Sequence, residues 1–110
     1  MAMNELDFED LVLANLDEAE RLTGHNFKGV RDLIDKHGAV DAARMLIDIN
    51  MVLKEYSGFK ILDAHDLERL SIEQAIVDFA ESGLFTPAEV STARSRLWIV
   101  ANRKKREASR

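Results

Sequence analysis

Apolar residues recur every three or four positions along most of this chain, the spacing of one buried helix face rather than the alternation of a strand. Over residues 6–22, Leu6, Leu13, Leu16 and Leu22, filled in by Val12 and Ala19, form such a stripe with carboxylates opposite it. Gly24 suits the left-handed residue that closes a helix. Phe27, Val30, Ile34 and His37 predict a second helix of about three turns that stops at Gly38. Val40, Ala43, Ile47 and Met51, widened by Met45 and Leu46, predict a third helix over residues 39–53. Phe59, Ile61, Leu62, Leu67 and Leu70 lack a clean period and read as a short helix or irregular turn that inserts Phe59 and Leu62 into the core.

Two capping signals fix the remaining helix starts. Ser71 with Gln74 three residues on predicts a reciprocal capping box and a helix from Ile72, whose face is Ile72, Ala75, Ile76 and Phe79 and whose stop is Gly83. Thr86-Pro87-Ala88-Glu89 combines an N-cap Thr, a proline at the first helical position and a Glu at the third. It opens a long last helix striped by Val90, Ala93 and Leu97, continued by Val100 or Ala101, with residues 103–110 expected to fray. The fold class is all-α: a compact, non-repetitive bundle of five to six helices forming one domain over residues 1–110. Its expected core includes Leu13, Leu16, Phe27, Ile34, Leu46, Phe59, Ile76, Phe79, Phe85 and Leu97.

Composition agrees, since a single proline in 110 residues is too few for a turn-rich β domain. With no cysteine, disulfides, thiolate catalysis and Cys-based zinc sites are excluded, and a reducing, cytoplasmic location is the expectation. No apolar stretch approaches the roughly 20 residues that span a bilayer. Charge is far more distinctive. Residues 1–20 hold seven carboxylates and no Lys or Arg, whereas residues 87–110 hold seven basic residues against Glu89 and Glu107, a net of +5. The chain total is −5, so residues 1–86 carry −10.

Residues 24–97 resemble a small helical module found as the C-terminal segment of bacterial proteins, some linked to restriction and other defence systems, and in stand-alone proteins. The likeness is carried by Phe27-Lys28-Gly29-Val30-Arg31-Asp32-Leu33-Ile34, the stretch from Gly38-Ala39-Val40 to Arg44-Met45-Leu46, Ser57-Gly58-Phe59, Leu70-Ser71-Ile72-Glu73 and Leu84-Phe85-Thr86-Pro87-Ala88-Glu89-Val90. Those modules have a shorter join after the third helix and a more aromatic segment where this chain has Lys60-Ile61-Leu62-Asp63-Ala64-His65. The resemblance implies a helical fold and no catalytic residue.

The residues themselves agree with a non-enzyme. His25, His37 and His65 are not spaced as a zinc-binding pair. Asp63-Ala64-His65-Asp66 reads as a polar turn, and His37 before Gly38 reads as a cation at a negative helix end. The serines lack a nucleophile elbow, and Ser71 is better explained as a cap. The five glycines are scattered and cradle no phosphate. No catalytic residue, metal or cofactor is expected.

Two binding surfaces remain. An acidic first helix, through Glu5, Asp7, Glu9, Asp10 and Asp17, is suited to a basic protein surface, including one that ordinarily receives nucleic acid. This points to an interaction module, an adaptor or inhibitor in phage–bacterium defence. The alternative is a nucleic-acid grip by the last helix through Arg96, Arg103, Lys104, Lys105 and Arg106, with Trp98 stacking on a base. Against both stands simple pairing of the acidic helix with the basic one, within one chain or across a homodimer.

Overall fold

A computed structural model describes residues 4–48 and 58–109. Among them are six α-helices and no strand: α1 (Glu5–Thr23), α2 (Lys28–His37), α3 (Ala39–Ile47), α4 (Phe59–Ala64), α5 (Ile72–Asp78) and α6 (Pro87–Ala108), with a 3₁₀ turn at Glu68–Leu70 between α4 and α5. The radius of gyration, 13.6 Å, is close to the roughly 13 Å of a compact chain this long.

Local chemistry sets the helix starts. Asn4 caps α1 in a reciprocal box: the Asp7 N–H donates to Asn4 Oδ1 at 3.0 Å and the Asn4 N–H donates to Asp7 Oδ2 at 3.1 Å. Thr86 and Glu89 do the same for α6, as the sequence predicts. At α5 only half of the expected box forms. Ser71 Oγ accepts from the Gln74 N–H, but the Ser71 N–H donates to the Glu68 carbonyl and the Gln74 amide turns outward to Asp78. The preceding 3₁₀ turn already satisfies the donor that the glutamine side chain would have served.

The α1 stripe keeps Val12, Leu16 and Ala19 of the expected one and departs from it elsewhere. The buried row is Phe8, Val12, Leu16 and Ala19, whereas Leu6 is 69% exposed and Leu22 is also exposed. Leu6 lies two residues before Phe8, about 200° around the helix, so burying Phe8 turns Leu6 to solvent. Phe8, fully buried, packs edge-on against Phe79 at 5.3 Å and Phe85 at 5.0 Å, joining α1 to both ends of the α5–α6 connection. Leu16, Phe27, Ile34, Leu46, Ile76, Phe79 and Phe85 are buried as expected, while Leu13, Phe59 and Leu97 are half-buried at the core's edge. The third helix ends at Ile47, with Asp48 in extended backbone; its expected extension over residues 49–53 lies outside the described residues.

α1 rests on α3, α5 and the 3₁₀ turn, and α6 rests on α5 and α3. The acidic and basic helices therefore share supports. No ion pair joins α1 to α6 among the described residues.

Candidate functional site

Along α1 the side opposite the buried row carries Asp7, Asp10, Ala14, Asp17 and Arg21, with Leu6 beside them. Of the five carboxylates singled out in the sequence, Glu5, Asp7, Asp10 and Asp17 are exposed. Asp17 faces α2, 3.1 Å from Arg31, which also reaches Glu20. Glu9 is the exception: half-buried, it accepts from the Ala39 N–H at 3.2 Å and places its charge at the positive end of α3. Glu5 and Glu9 line a cleft of about 110 Å³ with His37 and Asp41, whereas Asp10 looks outward and Asp17, though exposed, leans to Arg31. The set is one acidic helix divided between a packed edge and an open face.

The basic set separates further. Arg96 is folded inward: its guanidinium donates to the Leu46 and Ile47 carbonyls, both at 3.1 Å, and to Glu73 Oε2 at 3.2 Å. It closes the negative end of α3 and neutralises a glutamate that is 1% exposed. Desolvation pushes the Glu73 carboxyl above the ordinary carboxylate range, with its own backbone N–H and Arg96 opposing, and Glu73 Oε1 has no hydrogen-bond partner among the described residues.

Arg103 and Lys104 are likewise occupied. Arg103 donates to Asp63 Oδ1 at 2.6 Å. Lys104 Nζ donates to the Asp63 carbonyl at 2.9 Å and to Asp66 Oδ1 at 2.5 Å, and is also hydrogen-bonded to Glu68. Burial works against the Lys104 ammonium, but these carboxylates hold its pKa above that of an ordinary lysine. Burial likewise opposes the charged Asp63, yet Arg103 and Lys104 hold its carboxyl below the usual range. The expected frayed end is consequently helical as far as Ala108, tied to α4 and the 3₁₀ turn by acids the sequence places some 40 residues upstream. Lys105 and Arg106 stay exposed, with Arg94 and Trp98.

The histidines have local work or none. His25 Nδ1 accepts from the Phe27 N–H at 2.9 Å, and its ring meets the Phe27 ring edge-on at 4.7 Å. His37 sits exposed in the last turn of α2. Among the described residues no three His, Asp or Glu side chains converge as a metal would need. A wider cleft, about 380 Å³, lies between the end of α3 and the start of α6, where Arg44 pairs with Glu89 at 3.3 Å and donates to the Leu84 carbonyl. No helix among the described residues is long and apolar enough to cross a membrane.

Sequence reasoning missed Phe8 because Leu6 and Leu13 offered a rival stripe, and missed the Glu73–Arg96 and Asp63–Lys104 contacts because nothing local marks them. The chain matches no family model, no curated protein and no solved structure.

Proposed function

We propose that the chain is a non-catalytic protein-interaction module that presents the outward face of α1 to a basic protein surface. The observation that carries this reading is the unequal fate of the two charged ends. Asp10 and Glu5 stay exposed with no ion pair among the described residues, and Asp7 and Asp17 stay exposed although one caps α1 and the other meets Arg31, whereas Arg96, Arg103 and Lys104, three of the five residues a nucleic-acid grip would use, are held by carboxylates and carbonyls of the fold. Phosphate contacts dominate nucleic-acid affinity, so withdrawing these cations weakens that alternative. The buried ionisable pair, Glu73 with Arg96, ties α5 and α6 to α3 and lines neither of the clefts described above. The resemblance to modules of bacterial defence proteins gives the role a setting, an adaptor or inhibitor in phage–bacterium defence.

The test compares wild type with Glu5→Gln/Asp10→Asn/Asp17→Asn in affinity capture from a bacterial lysate; Asp7 and Glu9 are left intact because they cap helices. Basic proteins recovered by wild type and lost with the variant are the expected result. Equal recovery by both, or turnover of a small molecule by the purified protein, overturns the reading.

A further inference from the structure

The outward side of α6 is a second surface, independent of the acidic one. Trp98 is 66% exposed and Ile99 59% exposed, side by side on a helix whose Val90, Ala93 and Val100 face the core. At about 100° per residue, Arg94, Trp98 and Lys105 form one row and Ser95, Ile99 and Arg106 the next. Each apolar residue therefore has a cation one or two turns away along its row. Arg94, Lys105 and Arg106 are all exposed, and none makes an ion pair among the described residues, unlike Arg96, Arg103 and Lys104. Two neighbouring large apolar side chains left in water with three exposed cations around them make a mixed apolar and basic face that the packing of this chain does not use.

We infer that the Arg94–Trp98–Ile99–Lys105 face of α6 docks an acidic amphipathic helix of another protein. Charge complementarity selects an acidic partner. Apolar residues at one helical face of that partner cover Trp98 and Ile99, and its carboxylates meet Arg94, Lys105 and Arg106. From Arg94 to Lys105 the rows extend about 16 Å, enough to seat roughly three turns of a partner helix. Exposed Trp and Arg are the residue types that anchor such contacts. A nucleic-acid strand fits less well, because three cations offer few phosphate contacts and Ile99 has no aromatic face for a base to stack on. The inference does not rest on the acidic-face reading; with both surfaces in use, the module bridges a basic and an acidic partner.

Trp98 is the only tryptophan in the chain, so its emission reports directly on this face. The experiment titrates the full chain with a synthetic helical peptide bearing Leu along one face and Glu on the others, at physiological salt. The expected result is a saturable blue shift as Trp98 leaves water. The same peptide with Lys for Glu should give no shift, and R94E/K105E should bind roughly tenfold or more weakly with an unchanged circular dichroism spectrum. No shift with the acidic peptide overturns the inference, as does an equal shift with the Lys peptide. A stronger response to oligothymidylate than to the peptide assigns the face to nucleic acid instead. A blue shift that grows with protein concentration alone assigns it to a second copy.

Discussion

Replacing Arg96 by Met is the perturbation that most sharply tests how the fold is held. Methionine keeps the packing volume but removes the donors to the Leu46 and Ile47 carbonyls and the partner of a carboxylate that is 1% exposed. Breaking one side of a buried ion pair costs about 3–5 kcal/mol, a large share of the roughly 5–15 kcal/mol that holds a domain together. The loss should depend on pH. Glu73 already has a raised carboxyl pKa from desolvation, and Arg96 is among the groups opposing that shift, so its pKa rises further in the variant. A carboxyl with a higher pKa in the folded state binds protons preferentially there. The Glu73 contribution to the stability of R96M is therefore greatest below the ordinary carboxylate pKa, and it falls as pH rises towards the new folded value, by about 1.4 kcal/mol per pH unit. Urea unfolding followed by circular dichroism at about pH 5 and about pH 7.5 measures both effects. Glu73→Leu/Arg96→Met, which removes both charges, should recover most of the loss. A single-variant deficit under about 1 kcal/mol, or one equal at both pH values, would refute the reasoning.

Gly58 has φ +75°, and a Cβ there would lie 2.5 Å from the buried Phe27 ring, so Gly58→Ala should cost about 1–3 kcal/mol in the same urea assay. Asp63→Asn should cost about 1–2 kcal/mol at neutral pH by weakening the contacts to Arg103 and Lys104. Because the folded carboxyl pKa is depressed, that stabilisation is present above the ordinary aspartate value and is lost as pH falls through the folded one. The variant and wild type should then begin to converge only as pH falls below about 4, and should coincide once it is below the depressed folded value, in melts across the acid range. Leu46→Ala, at a side chain 1% exposed, should lower stability by about 2–5 kcal/mol.

What could be read from the sequence is what short-range chemistry decides. Thr86-Pro87-Ala88-Glu89 and Gly24 announce a helix start and a helix end because caps involve only neighbours in the chain. The Ser71 box was half legible: the hydroxyl acts locally, but the Glu68–Leu70 turn behind it is set by packing. Phe8 was obscured by leucines on both flanks of α1, since periodicity alone cannot choose between rival apolar stripes when tertiary contacts do. Charge was legible in amount and not in use. Nothing local says that Lys104 reaches Asp63 or that Arg96 crosses to the end of α3, 49 and 50 residues away. Of the candidate site, Asp10 and Asp17 are where helical spacing puts them, while Glu9 was claimed by the start of α3.

The central claim, that the α1 face binds a basic protein, is tested most directly by association kinetics. The most abundant basic protein captured by wild type is immobilised, and the association rate of wild type and of Glu5→Gln/Asp10→Asn/Asp17→Asn is followed across a salt series. Electrostatic steering by exposed carboxylates predicts a wild-type rate that falls steeply with salt, and a variant rate that is slower at low salt and nearly flat. Equal rates and equal salt slopes for the two proteins would contradict the account.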